Sequence, residues 1–260
     1  MAEEIKAQYP APAASVELDE ATREMIDAGV FYGKRKNKTH PRMKGAVLAN
    51  RGGIEIVNLA KTSEELVRAM NFLKEKTNSG SLYLVVGTQP AAQEIVETFS
   101  KTFKFPYVVN RWVGGTLTNF KIISQRVDYM KKLRSGLATG AFDKYTKKER
   151  LGLERELERL LELMAGLEEL VRIPDVLIVI DPVGHEAAVR EARQLNVPIV
   201  SLADTDADPE SITYAVPGNT KAKKSVEWFL GKLQTVVAEG KSKVQAPASA
   251  GSEAPSAAAA

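Results

Sequence analysis

Cysteine is absent from the 260 residues, and histidine occurs only twice, at His40 and His185. The first absence removes disulfide staples and thiolate metal sites, and agrees with a reducing cytoplasm. The second leaves too few imidazoles for zinc, because no third ligand is spaced to join the pair. Aromatic residues are scarce, at 7%. No apolar run approaches the roughly 20 residues that cross a bilayer. The opening MAEEIKAQYPAPAAS carries two acids and no apolar stretch, so neither a targeting segment nor a membrane partner is expected. Also missing are G-x-G-x-x-G, a P-loop ending in Gly-Lys-Ser/Thr, and the G-x-S-x-G elbow of serine hydrolases. The expectation is a protein that is not an enzyme.

What is present is ordinary in bulk and uneven in detail. Apolar content of 44% and charged content of 27% belong to a globular chain with a real core. The net charge is only +3, but it is localised. FYGKRKNKTHPRMK (31–44) holds six basic residues and no acid. The stretch 120–150 holds nine against three acids, and 151–169 reverses the sign with six acids against two basic residues. Concentrated positive charge suits a polyphosphate partner, because each neutralised phosphate releases counterions. Solvated helix faces also carry charge runs, so one run alone decides nothing.

Along the chain, residues 1–16 read as a flexible Ala/Pro arm and 241–260 as an Ala/Pro/Ser tail. Between them, helix and strand signals alternate. DEATREMIDAGV reads as a helix capped by Asp19 and closed by Gly29. GAVLANRGGIEIVNL reads as a β-hairpin turning on Gly52-Gly53. Thr62 and Glu65 have capping-box spacing before an apolar periodic run. SLYLVV, PYVVN, DVLIVI and PIVSL are short β-branched runs, the pattern of buried parallel strands. VVGTQPAAQEIVETFSKTFKFPYVV and VIDPVGHEAAVREARQLNVPIVSL repeat one order of strand, Pro-bearing turn, Ala-rich helix and strand. Two βαβ units of this kind imply an α/β fold, a doubly wound parallel sheet spanning 17–119 and 172–240.

Residues 120–171 break the alternation. Phe120, Ile123, Val127 and Met130 keep helical spacing, and Leu153, Leu157, Leu160, Met164, Leu167 and Val171 form a heptad seam. The reading is an inserted antiparallel helical hairpin projecting from the sheet, with a second helix about 30 Å long. Two helices lying flat on the sheet are the alternative.

Three loops invite chemistry. GTQP (87–90) and DPVGHE (181–186) join strands to helices, where backbone N–H groups could meet an anion, but both also suit tight turns with Pro near a helix start. His185 reads as a surface or helix-terminal residue. DTDAD (204–208) fails the calcium-loop pattern because Pro209 and Ala215 stand where Gly and Glu are needed. Asp208 there can cap the next turn, and a loosely held Mg²⁺ at Asp204 and Asp206 is the one cofactor left open. RWVGGTLTNF (111–120) combines a planar guanidinium, an indole and a Gly-Gly turn with Thr118 or Asn119 as a helix cap. Its N–H groups could cradle a phosphate, and Trp112 could stack on a base or pack beneath the hairpin.

With those residues assembled, the chain resembles the bacterial small-subunit ribosomal protein two family from about Thr22 to Leu233. RWVGGTLTNFKII carries the likeness most specifically. IPDVLIVIDPVGHEAAVREARQLNVPIVSLADTDADPESITYAVPGN adds a long second match, and AGVFYGK, HPRMKGAVLANRGGIEIVNLAKT and YLVVGTQPAA match more loosely. The resemblance implies a flavodoxin-like α/β domain with an inserted coiled-coil hairpin, the latter a mark of the bacterial type. It implies a structural component of the small subunit, cytoplasmic on the ribosome, near the junction of head and body. The implied partners are 16S ribosomal RNA and neighbouring small-subunit proteins, including the mRNA-capturing ribosomal protein one. Many relatives read Ala-Gly-Val-His-Phe-Gly-His where this chain has AGVFYGK; Phe31 and Lys34 replace the histidines, so any metal role there is not carried over. The expected RNA contacts are Lys34, Arg35, Lys36, Lys38, Arg42 and Lys44 in the first run and Arg111 in the turn. Around the hairpin they are Lys131, Lys132, Arg134, Lys144, Lys147 and Lys148. The rival is a phosphosugar- or nucleotide-binding α/β enzyme using the three loops as phosphate cradles.

Overall fold

The computed structural model describes residues 19–245; the expected arm, 1–16, lies outside them, as does the expected tail from 246 onward, whereas its first residues, 241–245, continue the last helix and are not tail. Helix α1 (Glu20–Asp27) begins after Asp19 and ends where Gly29 takes φ +68°. A small antiparallel sheet follows, from β1 (Tyr32–Arg35), β2 (Val47–Arg51) and β3 (Ile54–Val57), in the order β1-β3-β2. Gly52 and Gly53 both adopt positive φ, +56° and +81°, which the two-residue hairpin turn requires and a side chain would resist.

The rest of the chain is α2 (Leu59–Asn78), β4 (Tyr83–Val86), α3 (Pro90–Phe103), β5 (Tyr107–Val108), α4 (Phe120–Ala138), α5 (Lys147–Met164), β6 (Val176–Ile180), α6 (Glu186–Gln194), β7 (Ile199–Ala203), β8 (Tyr214–Pro217) and α7 (Lys223–Gln245). Strands β4 to β8 form one all-parallel sheet in the order β5-β4-β6-β7-β8. Counted alone these five run 2-1-3-4-5, a doubly wound order whose direction reverses between β4 and β6. Every residue of β4, β6 and β7 is buried, because helices cover both faces.

The period of two along the strands sorts the core into two layers. Tyr83, Val85, Ile178, Val200 and Leu202 face α2, α3 and α7, where Leu73, Phe99 and Phe229 complete one cluster. Leu84, Val86, Leu177, Val179 and Ile199 join the other, with Ile123, Val127 and Met130 of α4, Met164 of α5 and Ala188 of α6.

Two local expectations are corrected. The long helix opens at Leu59, not Thr62, because Asn58, the residue after β3, is its N-cap and its side chain accepts from Ala60 N–H at 3.1 Å. Thr62 is fully buried inside the helix and donates its hydroxyl to the carbonyl of Pro217 at 2.8 Å. The heptad seam does not reach Val171, which is 78% exposed. Helix α5 stops at Met164 and a 3₁₀ turn (Ala165–Leu167) takes over. That turn presses on β5: a Cβ on Gly166 would lie 2.2 Å from the carbonyl oxygen of Tyr107. Strand β8, which ends in Pro217, was not expected; as an edge strand it tolerates the missing donor.

Candidate nucleic-acid interface

In a doubly wound sheet, ligands bind at the carboxyl edge where strand order reverses, here between the GTQP and DPVGHE turns. In this chain that crevice is spent on internal bonds. The backbone N–H of Thr88 donates to Nε2 of His185 at 3.1 Å. The ring proton therefore sits on Nδ1, 2.8 Å from the carbonyl oxygen of Asp181. Asp181 itself holds a left-handed φ of +64°, accepts from the Gln89 amide and pairs with Lys221 at 3.1 Å. His185 is thus helix-terminal, at the N-terminus of α6, but buried at 3% exposure and not at the surface. With the Thr88 N–H already bonded to the protein, the enzyme reading loses a donor of its first cradle.

The RWVGGTLTN turn is filled in the same way, by a residue remote in sequence. Glu191 of α6 accepts from the indole Nε1 of Trp112 (3.0 Å) and the backbone N–H groups of Gly115 (2.9 Å), Leu117 (2.9 Å) and Thr118 (3.2 Å). Burial works to raise its pKa, but the bonds from Trp112, Leu117, Gly115 and Thr118 outweigh it and hold the carboxyl below the usual range. The donors that could have cradled a phosphate hold this carboxylate. Asn119 stands at the N-cap position of α4 but makes no side-chain capping bond. Trp112 is half-buried and packs on the core beside α4, while Arg111 is exposed.

The small sheet carries the first basic run. Its inner face rests on the loop after β7: Lys34 N–H donates to the Thr205 hydroxyl at 2.9 Å, and a Cβ on Gly33 would lie 2.6 Å from Thr205 Cγ2. The Lys34 ammonium sits 3.0 Å from the buried carboxylate of Asp204. Burial pushes the Asp204 and Asp206 carboxyls up, and Lys34 opposes this. Among the described residues no group of three or more His, Cys, Asp or Glu side chains could hold a metal ion. Arg42 pairs with Asp208 (3.2 Å) and Glu210 (2.9 Å), and Asp208 also caps the following 3₁₀ turn by accepting from Glu210 N–H.

The other expected contacts divide by whether an internal acid holds them. On α4, Arg134 makes a two-pronged pair with Glu168 (2.8 and 2.9 Å), and Lys131 donates to the Glu168 carbonyl at 3.0 Å. Arg35, Lys36, Lys38, Lys44, Arg111, Lys132, Lys144, Lys147 and Lys148 are exposed, and none makes an ion pair among the described residues. Sequence reasoning missed Arg51, also exposed, which lies beyond the run but joins it in space: Ile54 of β3 pairs with Arg35 on one side and Arg51 on the other. The hairpin register was the available signal. No described helix is long and apolar enough to cross a membrane.

Against known proteins, a family model described as ribosomal protein S2 matches residues 25–240. Similar curated proteins carry the name small ribosomal subunit protein uS2. One from Dictyoglomus turgidum is 42% identical over 219 residues, covering 84% of this chain and 89% of the relative. One from Thermus thermophilus is 39% identical over 225 residues, covering 86% and 88%. One from Deinococcus radiodurans is 36% identical over 219 residues, covering 84% and 83%.

Proposed function

The chain belongs to the ribosomal protein S2 family, and from that premise we propose that it is a structural, non-catalytic constituent of the small ribosomal subunit in the bacterial cytoplasm. The observation that carries the mechanism is the split between neutralised and unneutralised cations. Internal acids hold Lys34, Arg42 and Arg134, whereas Arg35, Lys36, Lys38 and Lys44 stand on the surface with no ion pair among the described residues. Such charges are costly to cluster unless a polyanion neutralises them, and 16S ribosomal RNA supplies one. Arg111, Lys132, Lys144, Lys147 and Lys148 extend the contact from the turn to the end of the helix pair. Lys34, Arg42, Lys131 and Arg134 contribute by holding those surfaces in place and by reaching phosphate from their internal partners. These contacts fix position on the RNA and do not read its sequence.

Helices α4 and α5 form, in this reading, the inserted coiled-coil hairpin. In support, they pack on each other, and Tyr129, Leu133, Phe142, Tyr145 and Leu153 line a groove between them. That groove, beside a helix of mixed charge, suits neighbouring proteins, among them the mRNA-capturing ribosomal protein one. The test is a chain with Arg35, Lys36, Lys38 and Lys44 all changed to Gln. None is buried, so stability should move little per site, within about 0.5 kcal/mol. Small-subunit association should weaken most at low salt, and its dependence on salt should become shallower, because fewer phosphates are neutralised. Undiminished association at all salts would contradict the proposal.

A further inference from the structure

The small sheet docks by one face and leaves the other open, and the register shows what the open face carries. Tyr32 pairs with Ile56, and Ile56 with Ala49; Arg35 pairs with Ile54, and Ile54 with Arg51. Directly paired residues project to the same side of a sheet, and Ile54 and Ile56, two apart, share that side. The result is two parallel rows, Tyr32–Ile56–Ala49 and Arg35–Ile54–Arg51. The irregularity between Tyr32 and Arg35 brings both to this face, although they are three residues apart. Tyr32 is 49% exposed and Ile54 41%, while the opposite face buries Glu55 and Val57. Phe31 lies against the Tyr32 ring, with centroids 4.1 Å apart and planes tilted by 35°.

We propose that this face is a stacking platform for an unpaired stretch of RNA, with Tyr32 receiving a base and Arg35 and Arg51 receiving the flanking phosphates; the idea rests on the RNA-binding reading above. The occupant follows from charge. Neither row contains an acid, and both arginines lack an ion pair among the described residues. An aromatic-and-aliphatic surface flanked by guanidinium forks matches a single strand, whose bases expose π-faces between evenly spaced phosphates. A duplex hides its base faces and would use only the arginines. A protein partner would have to bring an acid to each arginine, whereas a nucleic-acid strand carries a phosphate at every step. Nothing in the lysine-run contacts requires Tyr32, Ile54 or Arg51, so the platform, which shares Arg35 with that run, extends it by a site of its own.

Two measurements test it on the full-length chain. In the first, small subunits containing the protein are irradiated at 254 nm, and cross-linked nucleotides are mapped by peptide mass spectrometry. A nucleotide on the peptide bearing Tyr32 is the expected result. Cross-links confined to the Lys36–Lys44 or α4–α5 peptides, or a link from this face to another protein, would overturn the platform while leaving the RNA reading intact. A chain absent from the small subunit altogether would defeat that reading instead. In the second, Tyr32→Ala, Tyr32→Phe and Arg51→Ala are compared for binding to an eight-nucleotide mixed-sequence RNA and to its duplex. Tyr32→Ala should weaken single-strand binding about tenfold, with Tyr32→Phe near wild type, as for the loss of one base–aromatic stack. Duplex binding should hold for both tyrosine variants, while Arg51→Ala lowers both. Equal losses on single strand and duplex for Tyr32→Ala, or no loss on either, would remove Tyr32 from the RNA.

Discussion

Two carboxylates, Glu191 and Asp204, decide the local architecture of the loops that looked most functional. Glu191 binds five donors of the RWVGGTLTN turn, four N–H groups and the Thr118 hydroxyl, so replacing it leaves N–H groups to find water or strain the turn. Glu191→Gln keeps the shape and loses the charge, and should cost about 2 kcal/mol at pH 7 in urea unfolding. The pH sign follows from the depressed pKa. The folded carboxyl releases its proton more readily than the unfolded one, so this stabilisation is full above the ordinary carboxylate range. It is lost as pH falls through the folded value, and the gap between wild type and variant should close there. Asp204 behaves oppositely, because burial pushes it up and Lys34 restrains it. Lys34→Met strands a buried carboxylate and should cost about 3 kcal/mol at pH 8. Without the ammonium the folded pKa rises further, so the loss should shrink as pH is lowered toward 5 and Asp204 takes up a proton. Denaturant titrations of the variant at both pH values check it; a pH-independent loss would place the effect in packing.

Helices and strands show how far local pattern reaches. The Gly52-Gly53 hairpin and the runs YLVV, VLIVI and IVSLA were legible because turn chemistry and β-branched burial are written in adjacent residues. Thr62 misled because a hydroxyl followed by an acid is the same text whether it caps a helix or lies buried within it; Asn58, nearer the strand end, intercepted the chain first. Strand β8 was hidden by its terminal proline. Glu191 could not be matched to Trp112 from sequence, since some 79 residues separate them and only the fold joins α6 to the turn. Nor did the basic runs reveal which cations the protein itself neutralises. The seam of α5 was visible, but its end was not, because the 3₁₀ turn is imposed by contact of Gly166 with Tyr107. Gly166→Ala should therefore unseat the helix pair from β5 and cost at least about 2 kcal/mol, as overpacking against backbone does. Met130 and Met164 share one cluster with the sheet. Met130→Ala should accordingly cost about 2–5 kcal/mol and keep a single unfolding transition by circular dichroism. A separate early transition of the helical signal would show the pair to be an independent unit.

At the scale of the whole molecule, a net charge of +3 conceals a strongly polarised surface. One side of the small sheet and the far end of the helix pair are cationic, while the acids of 151–169 lie along the middle of α5 and just past its end. At the reversal point of the sheet, Thr88, Asp181, His185 and Lys221 bond to one another, and the charged surfaces lie elsewhere on the fold. Binding of that kind is electrostatic, with an affinity that falls by a slope of about 0.9 in log salt for each duplex phosphate neutralised. The most direct test is sucrose-gradient sedimentation of the tagged chain from its own cells at low and at high salt. The account predicts migration with the small subunit at low salt and progressive release as salt is raised. Migration as free protein at the top of the gradient in both salts would contradict it.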